Sequence, residues 1–256
     1  MIITSRANKT FKKLFALRAT RGIEKYGEFL VGGEKIIEEL LLEKKVKVSS
    51  SIRNPDMELP EKIKTLPYNP EDIVLSADLF NEINVFGTSS PLVSVPSWEF
   101  ADFCAASSAI SKGCYVFIPL ADPENVGAII RVAAGVGAKA VVLFKEAASP
   151  FLPKAVRSSA GALWKIPLFR ACSIKDFFPP QNLKLYVLDM SGKSITDVEH
   201  EVGKPFGILC GMEGQGVPQH LLGSCEVIKI PMKSGIESLN AAVSMAIALW
   251  EFRPFL

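Results

Sequence analysis

Three stretches of the chain combine residue types that chemistry needs with spacings that packing alone does not require. The first is DPENVGAIIRVAAGVGAKA. Asp122 can cap a helix there and Pro123 suits its first turn. Val126, Ile129, Ile130 and Ala133 form a core stripe, and Gly127, Arg131 and Ala134 fall at i, i+4 and i+7 on a neighbouring face. A long guanidinium between two tiny side chains is either a solvated surface arginine or a clamp for a phosphate or oxyanion. The second stretch is FGILCGMEGQGVPQHLL, where a strand-like run ends at Cys210 and Gly211, Gly214 and Gly216 follow closely. Glycines let backbone approach a ligand, and Glu213 is the single charge of that loop. The third is IPMKSGIESLNAAVSMAIALWEF, in which Glu237, Ser238 and Asn240 stand before a very apolar helix. One cap needs one side chain, so three clustered polar groups exceed what capping asks. The helix behind them is apolar nearly all round, which predicts burial on several sides and a second chain packed against it.

The elements between these stretches say how they would meet. From about Gly113, short apolar runs recur at Tyr115–Pro119, Ala140–Phe144, Trp164–Phe169, Leu185–Asp189, Gly207–Cys210 and Val227–Pro231. Helical stretches lie between most of them. This rhythm predicts a mostly parallel sheet wrapped by helices, with ligands bound at the carboxyl ends of its strands. Gly135-Val-Gly137 is no dinucleotide loop, because it ends a helix and precedes a strand, and helix termination explains it. That argues against a nucleotide-dependent oxidoreductase. The first ~95 residues mix strand (Phe29–Val31, Val46–Ile52) and helix patterns (around Ile36–Leu41 and Leu79–Ile83), which suggests a small α/β domain. GTSSPLVSVPS then reads as an end strand and linker.

Composition narrows the classes. The 256 residues carry a net charge of +2 and 48% hydrophobic residues, as expected of a globular protein in water. No apolar run approaches the ~18 residues of a membrane span, and no secretory signal is read at the N-terminus. Five scattered cysteines without a C-x-x-C pair, and two histidines, predict no metal site and suggest buried thiols in a reducing cytoplasm. Residues 1–25 hold seven Lys/Arg against one acid. Lys9, Lys12, Lys13, Arg18 and Arg21 are either a solvated face or a phosphate-binding one.

In this order and at this spacing, DPENVGAIIR, LCGMEGQGVP and IPMKSGIESLNAAVSMAIALWEF resemble the three motifs of the SpoU family of RNA methyltransferases, within the SPOUT class. SSAGAL, Ser158–Leu163, matches a further segment common in that family. Residues 1–95 are similar, through FLVGGEKIIEEL, to the L30e-like RNA-binding domain, although that domain usually shows a Glu where this chain has Gly32. The resemblance implies an L30e-like domain over 1–95, a linker over 96–112 and a SPOUT-type catalytic domain over 113–256. It also implies an α/β fold with a C-terminal trefoil knot and a homodimer formed through the catalytic domain. The expected cofactor is S-adenosyl-L-methionine (AdoMet), and the expected reaction is methyl transfer to a ribose 2′-hydroxyl of RNA. Ribosomal RNA of the 23S type is favoured over transfer RNA as the partner. By resemblance, Arg131 lies at the reacting ribose, and Asn125 and Glu213 orient it or the RNA. Ser238 and Asn240 line the catalytic pocket. Leu188, Gly211, Ile230, Met232 and Leu239 receive the cofactor, and the basic residues of 1–25 hold RNA. A catalytically silent RNA-binding protein of the same fold is the alternative.

Overall fold

The apolar runs become strands largely where their continuous Val, Ile and Leu content places them. The computed structural model describes residues 2–44, 46–106, 110–199, 201, 203–211, 216–236 and 238–253. Glu213, expected in the site, lies outside these. The chain divides into two units, Met1–Glu99 with Ser149–Trp164, and Phe100–Ala148 with Lys165–Leu256.

The first unit holds strands β1 (Ile2–Ile3), β2 (Glu28–Gly32), β3 (Ser50–Arg53), β4 (Glu71–Leu75) and β5 (Leu92–Pro96) in the sheet order β1-β4-β3-β5-β2. Helices α1 (Lys9–Ala16), α2 (Thr20–Tyr26), α3 (Glu34–Lys44), α4 (Glu61–Lys64) and α5 (Ala77–Ile83) join them. The expected strand Val46–Ile52 starts only at Ser50. The buried Val48 donates its N–H to Tyr68 Oη at 2.8 Å instead of to a neighbouring strand. Gly32 has a packing reason. A Cβ there would sit 2.5 Å from the Phe86 ring and 2.8 Å from Leu92, so no larger residue fits.

The unit boundary departs from the 1–95, 96–112 and 113–256 division. Ser149–Trp164, which includes helix α7 (Pro153–Ser159) and the SSAGAL segment, belongs with the first unit. Phe151 explains this, because its ring lies 4.7 Å from that of Phe29 and 4.8 Å from that of Trp98. Three aromatic rings in edge-on and tilted contact anchor the segment there.

The second unit is built on a sheet of β6 (Ala101–Asp102), β7 (Gly113–Ile118), β8 (Ala140–Leu143), β9 (Leu168–Arg170), β10 (Lys184–Ser194), β11 (Pro205–Leu209) and β12 (Glu226–Lys229). Its order is β12-β10-β11-β7-β8-β9-β6, and the described pairs are all parallel. Strand β9 is shorter than the expected Trp164–Phe169. Ala162–Trp164 form a 3₁₀ turn, and the strand opens just after Pro167. On one face Tyr115 and Phe117 join Phe103, Phe144 and Phe177 in a buried cluster. Helices α6 (Pro123–Val136) and α9 (Ala241–Glu251) pack on each other, and α8 (Gln219–Ser224) precedes β12. Asp122 accepts from the N–H of Glu124 and Asn125 and caps α6, and Gly137 ends it at φ 89°. Both features follow the sequence expectation. No helix among the described residues is long and apolar enough to cross a membrane.

The cysteines correct one expectation. Cys114 and Cys210 are buried, and burial pushes the Cys114 thiol pKa up, but Cys104 and Cys172, which follow the short strands β6 and β9, are exposed.

Strand β10 has an irregularity with consequences. Leu188 pairs with Ile228, and so does Lys193, so residues 189–192 leave the ladder and return to it. Gly192 permits the return, since a Cβ on it would lie 2.5 Å from the backbone of Val227 and Ile228. Overpacking of this kind costs about 1–3 kcal/mol. Gly192→Ala is therefore expected to lower the stability measured by urea unfolding by at least about 2 kcal/mol, whereas Gly223→Ala, whose Cβ meets nothing within 4 Å, stays near wild type.

Candidate active site

The carboxyl ends of β10, β11 and β12 enclose a cleft of about 570 Å³. Parallel α/β sheets bind ligands in this position. Its wall takes Leu188 from β10, Gly211 beyond β11, and Ile230 and Met232 beyond β12. Ser238, Leu239 and Asn240 close it from the turn that opens α9. The structure thus gathers, from four separate stretches, seven of the residues expected from sequence.

Asn240 is the joint of this arrangement. Its Oδ1 accepts from the N–H of Ala242 at 2.9 Å and of Val243 at 3.2 Å, which caps α9. With that oxygen engaged, its Nδ2 donates to Asn125 Oδ1 at 2.9 Å. Asn125 sits in the first turn of α6 and is 8% exposed. A buried amide needs such a partner, because an unpaired one costs about 1–3 kcal/mol. One side chain therefore caps one helix and ties it to another. Asn125 braces the wall rather than lining it.

Arg131 is not brought to this cleft. It lies on α6, exposed, with no hydrogen bond or ion pair to the described residues, and it does not contribute to the wall. The expected basic surface is also only partly free. Lys13 Nζ is 2.8 Å from Glu28 Oε1, and Arg18 lies over the Phe15 ring at 4.6 Å, while Lys9, Lys12 and Arg21 are exposed.

Sequence reasoning missed several wall residues, namely Asp189, Met190, Ile228, Lys229, Ala241 and Ser244. The rule that ligands sit at strand ends could have found Asp189, the last residue of a strand expected from sequence. Lys229, the last residue of β12, lines the cleft from that strand's carboxyl end.

A parallel sheet with a mixed polar and apolar cleft at its strand ends is the frame of an α/β ligand-binding enzyme. The comparisons make the class specific. The model of the SpoU rRNA Methylase family matches residues 115–250. The chain belongs to that family. It is 35% identical over 248 residues to the Ribosomal RNA small subunit methyltransferase G 2 of Syntrophobacter fumaroxidans, an alignment covering 97% of this chain and 48% of that protein. It is 26% identical over 255 residues to the 23S rRNA (guanosine(2553)-2'-O)-methyltransferase RlmP of Bacillus subtilis, covering 98% of each. The SpoU methyltransferase AviRb of Streptomyces viridochromogenes, solved with the cofactor AdoMet, superposes with a TM-score of 0.80 at 26% identity, covering 96% of this chain and 97% of that one. The chain spans about half the length of several curated relatives it matches, the Syntrophobacter protein among them.

The residues present fit AdoMet. Leu188, Ile228, Ile230 and Leu239 offer apolar surface for an adenine ring, and the cleft has the volume of a small-molecule site. Gly211 leaves backbone open at a strand end, since a Cβ there would lie 3.1 Å from Leu188 O. Asp189, Ser238 and Asn240 supply polar groups. Among the described residues no group of three or more His, Cys, Asp or Glu is arranged to hold a metal ion.

Asn240→Ala removes the cap and the bridge together. A loss of about 1–2 kcal/mol in urea unfolding is expected. Asn240→Asp, which keeps the cap acceptor but loses the donor to Asn125, should recover only the capping part of that loss.

Proposed function

We propose that this protein is an AdoMet-dependent RNA methyltransferase that modifies a ribose 2′-hydroxyl, with ribosomal RNA of the 23S type favoured over transfer RNA. The observation that carries the reading is the convergence of Leu188, Gly211, Ile230, Leu239 and Asn240 on one strand-end cleft in a chain of the SpoU family. The match to RlmP along nearly the whole of both chains supports the 2′-oxygen and the ribosomal substrate.

AdoMet supplies an already activated methyl group on its sulfonium. The protein must hold a ribose 2′-oxygen in line with it, because placement supplies much of the rate of such a transfer. Asn125 and Asn240 keep the cleft wall in register for that placement. The guanidinium of Arg131 has N–H donors and no acceptor, so it holds the neighbouring phosphate and polarises the 2′-hydroxyl, whose proton passes to that phosphate or to water. Glu213 joins this set by resemblance.

The same reading gives Arg131 its place through a second copy of the chain. Val243, Ile247 and Trp250 recur at i, i+4 and i+7 along α9 and are 48%, 38% and 60% exposed. An apolar stripe opposite an already buried one favours a packed partner. Ala128, Val132 and Gly135 give α6 a small, partly exposed face beside Arg131. A homodimer through these helices would carry each Arg131 toward the partner's cleft. The unit of 1–99 and 149–164 serves as the L30e-like RNA-binding part, with Lys9, Lys12 and Arg21 as its free cations and Lys13 and Arg18 as braced ones. The C-terminal segment forms the trefoil knot of the family, a reading that rests on the family match alone. The enzyme works in the cytoplasm, where its RNA substrate is.

Transfer of labelled methyl groups from AdoMet to ribosomal or transfer RNA, followed by mapping of 2′-O-methyl marks, tests the reading. Labelling of a base, or none with AdoMet bound, would refute the ribose assignment or leave the silent RNA-binding protein. Arg131→Ala should keep AdoMet affinity and lower turnover about 100-fold or more; unchanged turnover removes Arg131 from the mechanism. Ile247→Asp should sediment as a monomer and lose turnover, and a fully active monomer would sink the dimer.

A further inference from the structure

Asp189 is the one carboxylate in the described wall of the cleft, and it is held in a fixed pose. Its Oδ1 accepts from Ser191 N–H at 2.9 Å and from Ser191 Oγ at 2.7 Å. Its Oδ2 takes no hydrogen bond from the described residues, and no ion pair joins it to Lys229, the other charged residue in the wall. Asp189 stands where β10 breaks from its β12 ladder, with Ser191 donating to one of its oxygens. The second oxygen is left as a directed acceptor beside the apolar Leu188 and Ile228 of the wall.

The donors of an adenosyl ligand decide what that oxygen can read. A sulfonium has no hydrogen to donate. An adenine ring suits the apolar side chains of Leu188 and Ile228. A ribose diol presents two adjacent O–H donors, and an acid at a strand end of a parallel sheet is a proven acceptor for them. We propose that Asp189 accepts hydrogen bonds from the ribose hydroxyls of the adenosyl ligand and thereby sets the selectivity of the cleft for ribonucleoside over deoxyribonucleoside cofactors. The inference rests on the AdoMet reading of the cleft. Ser191 acts on it as a positioning residue.

Calorimetric titration of the full chain with three nested ligands tests it. AdoMet carries sulfonium, α-ammonium and diol; S-adenosylhomocysteine carries ammonium and diol; methylthioadenosine carries the diol alone. Asp189→Ala is expected to weaken all three by one common factor of about 10- to 100-fold, the range for a hydrogen bond to a charged group. Asp189→Asn keeps a neutral acceptor and should lose less, and Ser191→Ala should lose an intermediate amount with the same ligand pattern. Wild type should discriminate against 2′-deoxy-methylthioadenosine, and Asp189→Ala should not, which excludes a contact to adenine. Far-UV circular dichroism and melting curves confirm that each variant is folded. Loss confined to AdoMet would show a charge contact to the sulfonium and overturn the proposal. Loss confined to AdoMet and S-adenosylhomocysteine would assign Asp189 to the ammonium and overturn it equally, as would no loss. Wild type that binds none of the ligands would instead refute the AdoMet reading, and this inference with it.

Discussion

The cleft exists because β10 abandons its partner strand and comes back to it. Between Leu188 and Lys193 the ladder with β12 is broken, and Gly192 closes the detour against the backbone of Val227 and Ile228 with no space for a side chain. A regular ladder would set Asp189 and Met190 flat beside β12 and fill the place where the cleft now opens. The detour also shapes the neighbouring strand ends, since Ile228, Lys229 and Ile230 face the opening it leaves. A single backbone contact of this kind is stiff, because the interior around it is close-packed and adapts little.

Around that opening, polar side chains do structural work that resembles chemistry. Asn240 satisfies the first N–H groups of α9 and, with the rest of its amide, the buried Asn125 of α6. Neither asparagine needs a ligand to be explained, yet both set where the wall stands. These amides fix where the wall stands, and in the proposed reading Asp189 adds the charged contact that reads the ligand.

The exposed guanidinium of Arg131 and the exposed apolar stripe of α9 are two unusual surface features of one pair of packed helices. In the proposed dimer they have one cause. Each chain would offer a cofactor cleft and lend its arginine elsewhere, so the monomer shows a cleft without its cation and a cation without its cleft. An interface of this kind couples assembly to activity without any moving part.

Local patterns were enough to read the helix cap at Asp122, to narrow that of α9 to Ser238 or Asn240, and to read the stop at Gly137, the core strands of the second sheet and the glycine at position 211. Each depends on neighbours within one turn or on simple alternation, which is information a linear chain carries. Motif order carried the family as well. Tertiary structure alone decided that Ser149–Trp164 would join the first unit, through one phenylalanine set between two aromatic rings. It alone broke the β10 ladder after Leu188 and left Arg131 out of the cleft. These outcomes depend on which strand lies beside which and on where a ladder slips. Such facts arise from packing between residues far apart in sequence, and no spacing along the chain records them.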